Sequence, residues 1–353
     1  MMRAGTKRRV GLFLRGLLVI GAVWGGVAGS AFLGVGALLY GALSGAITAV
    51  ICGGVILAAE IFLPPTRLGH AFERAPFLVT AAVKWFAYSA VILLVVGSRL
   101  GRRLAAPALL SRDLAQALDQ QPLLPTTLSI AFAFVLTSSF IVVLQMSRLI
   151  GERTLRDVVL GRYHRSRSEE RFFLFVDIAG STPLAERIGP DAVHRFLGEV
   201  FRLASDPIDD HRGEVYQYVG DEIMITWTVA EGRDHARPLA CFFAIEQALA
   251  QAAPRFEREF GAVPRLRAAL HAGPVISGEV GGSRRAIVYH GDVMNTTSRI
   301  EQATRDRERQ FLVSSDALER LDGVDDYTLE DLGPQRLRGR AAAVRVYAVA
   351  AKQ

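Results

Sequence analysis

Four long apolar stretches, about 16–34, 36–61, 77–97 and 127–147, dominate the first 150 residues. Each approaches or exceeds the roughly 20 apolar residues that a helix needs to cross the hydrocarbon core of a bilayer. No other feature narrows the possible folds so far, because within lipid only helices and closed barrels satisfy their own backbone hydrogen bonds. The pattern predicts an α-helical transmembrane bundle of about four spans over 1–147. The first two stretches are separated only by a glycine-rich step at Gly34 and Gly36. The first also fits a signal sequence, with Lys7, Arg8 and Arg9 before it and the small residues Ala28, Ser30 and Ala31 at its end.

Charge divides the chain at the same place. Residues 1–150 hold 13 Lys/Arg and 4 Asp/Glu, which leaves 28 and 31 of the chain's 41 and 35 for the rest. The basic balance thus belongs to the apolar half, and the slightly acidic second half lacks the basic stripe of a nucleic-acid binder. Basic residues near span ends set orientation. Arg3, Lys7, Arg8 and Arg9, then Arg67 and Arg74, then Arg148, Arg153 and Arg156 all fall on one side if four spans exist. This predicts a multi-pass protein of the inner (cell) membrane with its C-terminal half cytoplasmic, against which only Arg99, Arg102 and Arg103 argue. Lys84 is the only charge of the third stretch and is placed to snorkel toward headgroups. Gly21, Gly25 and Gly29, and Gly41 with Gly45, have the spacing that lets helices approach closely. Cys52 and Cys241 are too few for a disulfide framework or a zinc site and read as small buried hydrophobes.

Residues 148–170 read as a linker or signalling helix, with Leu149, Leu155, Val158 and Val159 on one side and arginines on the other, broken at Gly161. The chemistry lies in 171–350. Arg171-Phe-Phe-Leu-Phe-Val-Asp177 is a buried strand ending in a carboxylate. A helix is expected from near Pro183, capped by Ser181 or Thr182. Helix-start N–H groups attract anions, and a carboxylate beside them can hold the accompanying cation. Two β-rich runs, Glu214–Val219 and Glu222–Trp227, meet at Gly220-Asp221 as a hairpin with Asp221 at its tip. Two neighbouring carboxylates repel unless a cation lies between them, and Mg²⁺ suits a pair completed by substrate phosphates. Asn295 and Arg299 are four apart and share a helix face.

Singly none of these elements is specific. In this order, Phe175-Val-Asp-Ile-Ala-Gly-Ser-Thr182, Tyr218-Val-Gly-Asp-Glu222, His271-Ala-Gly-Pro-Val275 with Gly278-Glu279, Asn295-Thr-Thr-Ser-Arg299 and Leu337-Arg-Gly-Arg340 resemble the catalytic domain of class III adenylate/guanylate cyclases. The resemblance spans about 170–350. It implies a ferredoxin-like α/β fold acting as a homodimer with interfacial sites, and conversion of ATP (or GTP) to a 3′,5′-cyclic nucleotide and pyrophosphate.

The same resemblance assigns Asp177, Ile178 and Asp221 to a site for two divalent cations, Mg²⁺ or Mn²⁺. One would activate the ribose 3′-hydroxyl and the other hold the β- and γ-phosphates. Asn295 would orient the ribose and Arg299 stabilise the α-phosphoryl transition state, both from the partner subunit. Gly180, Ser181 and Thr182 would cradle phosphates, with Arg338 or Arg340 reaching the triphosphate. The base-selecting positions fall on Gln217, which can donate or accept, and on Val288, which offers no hydrogen bond; Tyr289 or His290 would serve if the register shifts. His271 is expected to end a strand. A diguanylate cyclase would share only the Gly220-Asp221-Glu222 turn. An inactive cyclase-like dimeric receptor or scaffold would lack one of Asp177, Asp221, Asn295 and Arg299, and all four are present.

Overall fold

The run Arg171–Ile178 is buried throughout, and the second half of the chain is assembled around it. The computed structural model divides into Met1–Ile150 and Gly151–Gln353. It describes residues 151–352 apart from 283–285, 307–308 and 337–342, and of the first unit Val23 and, with gaps, 50–59, 79–94 and 131–146.

In the first unit the described residues are helical. Ile56, Tyr88 and Ile141 pack together with Ala59, Ala81 and Trp85 around them. The Trp85 indole donates to Ser138 Oγ at 2.8 Å, which in turn donates to the Phe134 carbonyl. Among the described residues no helix is long and apolar enough to cross a membrane. Most of the 16–34 stretch, the Gly21/Gly25/Gly29 and Gly41/Gly45 motifs and the basic residues of the intervening loops lie outside the described residues.

In the second unit the expected long connector is helical only over α1 (Glu152–Val159), because Gly161, at φ 64, turns the chain back. There follow β1 (Arg167–Ile178), α2 (Ser181–Ile188), α3 (Pro190–Asp210), β2 (Glu214–Val219), β3 (Glu222–Thr228), α4 (Val229–Gly232), α5 (Arg237–Phe260), β4 (Leu266–Val280), β5 (Ala286–His290), α6 (Asp292–Asp306), β6 (Phe311–Ser314), α7 (Ser315–Leu318), β7 (Tyr327–Gln335) and β8 (Val344–Ala351). The sheet order is β2-β3-β1-β4-β6-β8-β7, with β5 paired to β4. β1 runs antiparallel to both β3 and β4, and β2 antiparallel to β3. β1-α3-β2 and β3-α5-β4 are therefore two interleaved crossovers, the split arrangement of a ferredoxin-like core. The parallel β4–β6 pair makes the whole sheet mixed.

Alternation along β1 separates two faces. Phe172, Leu174, Val176 and Ile178 meet Phe196, Val200, Ala204 and Ile208 of α3 and Leu239, Phe242, Ile245 and Phe256 of α5. A fully buried phenylalanine such as Phe172 contributes about 3–5 kcal/mol against alanine. Phe173 and Phe175 point the other way, toward Val275, Tyr289 and Val293. Arg171 and Asp177 stand in phase with them, so the second face carries both buried charges of the strand.

The entry to β2 is fixed by packing. A Cβ at Gly213 would lie 2.9 Å from each of Ile208, Ile225 and Trp227, and the Trp227 indole donates to the His211 carbonyl. Strand β4 runs on to Val280 rather than ending at His271. His271 stays buried inside it with Nδ1 2.8 Å from Ser314 Oγ. Pairing explains the extension, since β1 pairs with β4 as far as Ser277 and β5 then covers Ile276–Val280.

Candidate active site

Strand β1 delivers Asp177 to its C-terminal end, where the side chain is only 6% exposed. The β2–β3 hairpin delivers Asp221, with Val219 paired to Glu222 so that Gly220 and Asp221 form a two-residue tip. Gly220 has φ 62, a left-handed conformation that glycine adopts without a Cβ clash. The helix expected near Pro183 begins at Ser181, because Gly180 at φ 77 turns the chain directly into it. Neither Ser181 nor Thr182 caps that helix. The Ser181 hydroxyl is engaged elsewhere: it donates to the Asp221 carboxylate.

Asp177 and Asp221 are thus brought close enough for each carboxyl to bear on the other. Burial, then the charge of Asp221, raise the Asp177 carboxyl to about 6, although Arg305 opposes the shift. Glu222 is raised to about 7, first by burial and then by Glu301, Asp177 and Asp221. Its Oε1 atom is buried without a hydrogen-bond partner among the described residues. Arg305 Nη2 lies 3.0 Å from Asp177 Oδ2 and 3.2 Å from Glu301 Oε1. Four carboxyls therefore influence one another around a single guanidinium.

That surplus of hard oxygen donors fits a divalent cation. Among the described residues no three His, Cys, Asp or Glu side chains form a ligand set by themselves. A carboxylate pair completed by other oxygens is the usual manner of holding Mg²⁺. Asp177 and Asp221 would hold it, and Ile178, whose side chain is apolar, can add only its backbone carbonyl.

The remaining residues of the expected site lie on α2, β2, β5 and α6. Gly180 and Thr182 are exposed and Ser181 half-buried at the start of α2. Gln217 is exposed on β2, just past an irregularity in its pairing with β3. Val288 is half-buried on β5, opposite Gly278. Tyr289 is 5% exposed, its ring covered by Arg171, Phe173 and Tyr216, so it faces the interior, while His290 is exposed. Asn295 is exposed and Arg299 half-buried on α6. It is Arg305 of this helix that meets Asp177; at 1.5 Å per residue, Arg299 and Asn295 lie roughly 9 and 15 Å further along the axis. Arg338 and Arg340 lie outside the described residues.

Residues 164–351 match the family of adenylate and guanylate cyclase catalytic domains. This chain belongs to that family. Adenylate cyclase 2 of Rhizobium meliloti (strain 1021) is 34% identical over 314 residues, covering 88% of this chain and 84% of that protein. Adenylate cyclase 1 of the same organism is 28% identical over 187 residues, 50% of this chain and 27% of the relative. A solved bacterial light-regulated adenylyl cyclase shares the fold at a TM-score of 0.53 and 20% identity, over 67% of this chain and 68% of its own. The chain is a nucleotide cyclase with an adenylate cyclase-like catalytic domain.

Three members of this cyclase's acid end were not singled out from the sequence. Glu222 stands beside Asp221, and Glu301 with Arg305 has the i, i+4 spacing of a helix ion pair. Their convergence on Asp177 depends on how α6 crosses β1, which the spacing alone does not show.

Proposed function

We propose that this cyclase converts ATP to 3′,5′-cyclic AMP and pyrophosphate at a two-metal site shared between two copies of the chain. The Asp177–Asp221 pair carries the reading, because a strand end and a hairpin tip bring two carboxyls together, with Glu222 and Glu301 bearing on them, where positive charge is wanted. The adenine preference is supported by the adenylate cyclase 2 relative, which matches 88% of the chain.

Asp177, Asp221 and the Ile178 carbonyl would hold divalent cations, which would supply Lewis-acid neutralisation of the triphosphate and acidify the ribose 3′-hydroxyl. The exposed N–H groups at the start of α2 receive phosphate oxygens. Asn295 of the partner chain holds the ribose, and the partner's Arg299 neutralises charge that develops on the α-phosphoryl group as the 3′-oxygen attacks and pyrophosphate departs. The offset of Asn295 from Arg305 along α6 supports this division between chains. Gln217 and Val288 face the base. Gln217 reads either purine by rotating its amide, so the base preference rests on the pocket as a whole.

The first 150 residues form the membrane anchor, with the catalytic half cytoplasmic. Four apolar stretches support this, as do Phe86, Leu94, Val135 and Val142, which are 68%, 74%, 65% and 59% exposed on the described helical pieces. The relative's match over 88% of the chain also exceeds what Gly151–Gln353 alone supplies.

The decisive experiment supplies the detergent-solubilised full chain with ATP and GTP in parallel, with Mn²⁺ or Mg²⁺, and identifies the products by mass. Cyclic AMP is expected in excess. Cyclic GTP-derived product alone overturns the adenine assignment, and no cyclic nucleotide at all marks a scaffold. Asn295→Ala and Asp177→Ala chains, each inactive, should partly recover activity when mixed; confirmed mixed dimers without recovery would sink the shared site.

A further inference from the structure

Arg171 is a charged residue in the middle of a core strand, only 2% exposed, and the two-metal reading gives it no task. Its surroundings are unusually complete. Nε donates to Thr226 Oγ1 at 3.0 Å, Nη2 to Glu214 Oε2 at 3.0 Å and Nη1 to Glu169 Oε1 at 3.2 Å. Nη1 also lies 3.5 Å from the Tyr163 hydroxyl. The guanidinium stacks on Tyr289, 4.6 Å from the ring centroid. A planar, multiply bonded and stacked cation is a role that arginine fills and lysine does not.

These contacts join three parts of the molecule. The first is the connector. Thr154 of α1 donates to the other oxygen of Glu214 at 3.3 Å, and Tyr163, 3% exposed, follows the turn after α1. The Tyr163 carbonyl accepts from the Glu279 N–H at 3.0 Å, which pins that turn to β4. The second is the foot of β2, where Glu214 begins the hairpin that ends in Asp221. The third is β5, through Tyr289. Tyr289 also meets Tyr216 edge-on, 5.1 Å between centroids. Tyr216 precedes Gln217, and Tyr289 follows Val288. A polar cavity of about 240 Å³ lies beside the arginine, lined by Arg156, Asp157 and Arg162 of the connector together with Glu214, Thr228 and Glu231. The cavity sets the connector's charged side chains beside Arg171 and Glu214.

We propose that Arg171 is a positioning residue that couples the seat of the α1 connector to the two base-facing strands, so that connector position sets nucleotide affinity and base preference. The coupling runs from Thr154 and Tyr163 through Glu214 and Arg171 to the Tyr216–Tyr289 pair. It rests on the reading of Gln217 and Val288 as base-facing.

The test uses the full chain in detergent, with melting temperature, kcat, KM and the ATP-to-GTP ratio of kcat/KM measured for each variant. Arg171→Met should raise the nucleotide KM roughly tenfold and narrow the ratio while kcat changes less than about threefold, the pattern of lost ground-state binding. Arg171→Lys should recover only part of the KM, since it restores charge without the plane. The combined Thr154→Val and Tyr163→Phe variant, far from the acid pair, should shift KM in the same direction by about threefold, as expected for neutral hydrogen bonds. A lowered melting temperature with KM and ratio within about twofold of the unsubstituted chain makes Arg171 a folding residue and overturns the proposal. If Arg171→Met does not fold, the connector variant decides, and an unchanged KM there overturns the coupling. Gln217→Ala separates the two readings. A shifted ratio with unmoved Arg171 variants removes the coupling alone, whereas an unshifted ratio removes the base-facing assignment and the coupling with it.

Discussion

Arg171 and Asp177 stand six residues apart on one face of one strand, and their surroundings solve opposite problems. At Arg171 the charges close: one guanidinium is met by Glu214 and Glu169, with Thr226 and the Tyr289 ring filling the remaining directions. At Asp177 they do not, because Asp221, Glu222 and Glu301 gather around a single cation, Arg305, that is itself 54% exposed. Burying a charge is tolerable when its partners are complete. An incomplete set raises carboxyl pKa values instead, and it persists where an external cation completes it. The balanced end reads as architecture that transmits position, the unbalanced end as a binding site.

The largest expected effect breaks the unbalanced end. Asp177→Asn should lower cyclase activity by at least about a hundredfold, the scale for removing one group aimed at the transition state, with little loss of folding; steady-state product formation beside a thermal melt separates the two. The balanced end should show the reverse emphasis. Arg171→Met leaves Glu214 and Glu169 without their buried cation, and breaking such a pair costs about 3–5 kcal/mol, read as a lower denaturant midpoint.

A pH series sharpens the contrast. Asp177 and Glu222 titrate in the folded chain near 6 and 7, above their ordinary values of 3.8 and 4.5. Because these folded values are raised, the cation-free chain is favoured at low pH and loses that contribution as pH rises from about 4 through 7. Divalent cations bind the deprotonated acids. The melting-temperature gain on adding Mn²⁺ should therefore be small at pH 5 and grow through pH 7.5; a gain independent of pH would remove these two carboxyls from the cation site. The smallest effect concerns Arg305. Arg305→Gln removes the resident positive charge from Asp177 and Glu301 and should tighten Mn²⁺ binding at pH 8 by about threefold, given the weak worth of a half-exposed ion pair. The free Mn²⁺ resonance signal measures this directly.

Much of this was legible in the residues. The alternation of β1, the two-residue tip at Gly220-Asp221 and the helix bearing Asn295 and Arg299 are local patterns, and local patterns survive in sequence. The start of α2 was misjudged by two residues because serine and threonine look like caps; glycine in a left-handed conformation made the cap unnecessary, and Ser181 went to Asp221 instead. Strand β4 continues past His271 because β1, about a hundred residues earlier, pairs with it as far as Ser277, and β5 carries it on to Val280. Arg171 directly follows Glu169 and Glu170 and so reads as the end of a charged segment, although its side chain is buried. What no spacing could reveal is that Glu301 and Arg305 reach back to Asp177, a contact across 128 positions.

The placing of Asn295 and the acid pair on different elements, α6 against β1 and the β2–β3 hairpin, has a genetic consequence if two copies share each site as proposed. On the proposed shared site, each half of a pair would draw its acids from one chain and the amide and guanidinium from the other. A cell that makes equal amounts of intact chain and chain lacking Asp177 forms mixed pairs in which one site is still whole. Such an allele lowers output in proportion to its dose and does not poison its neighbour, and the same holds for an Asn295 allele. Two defective alleles of opposite kinds, carried together, yield a pair with one site whole and the other doubly broken, so the cell keeps a fraction of its signal although no intact chain is present.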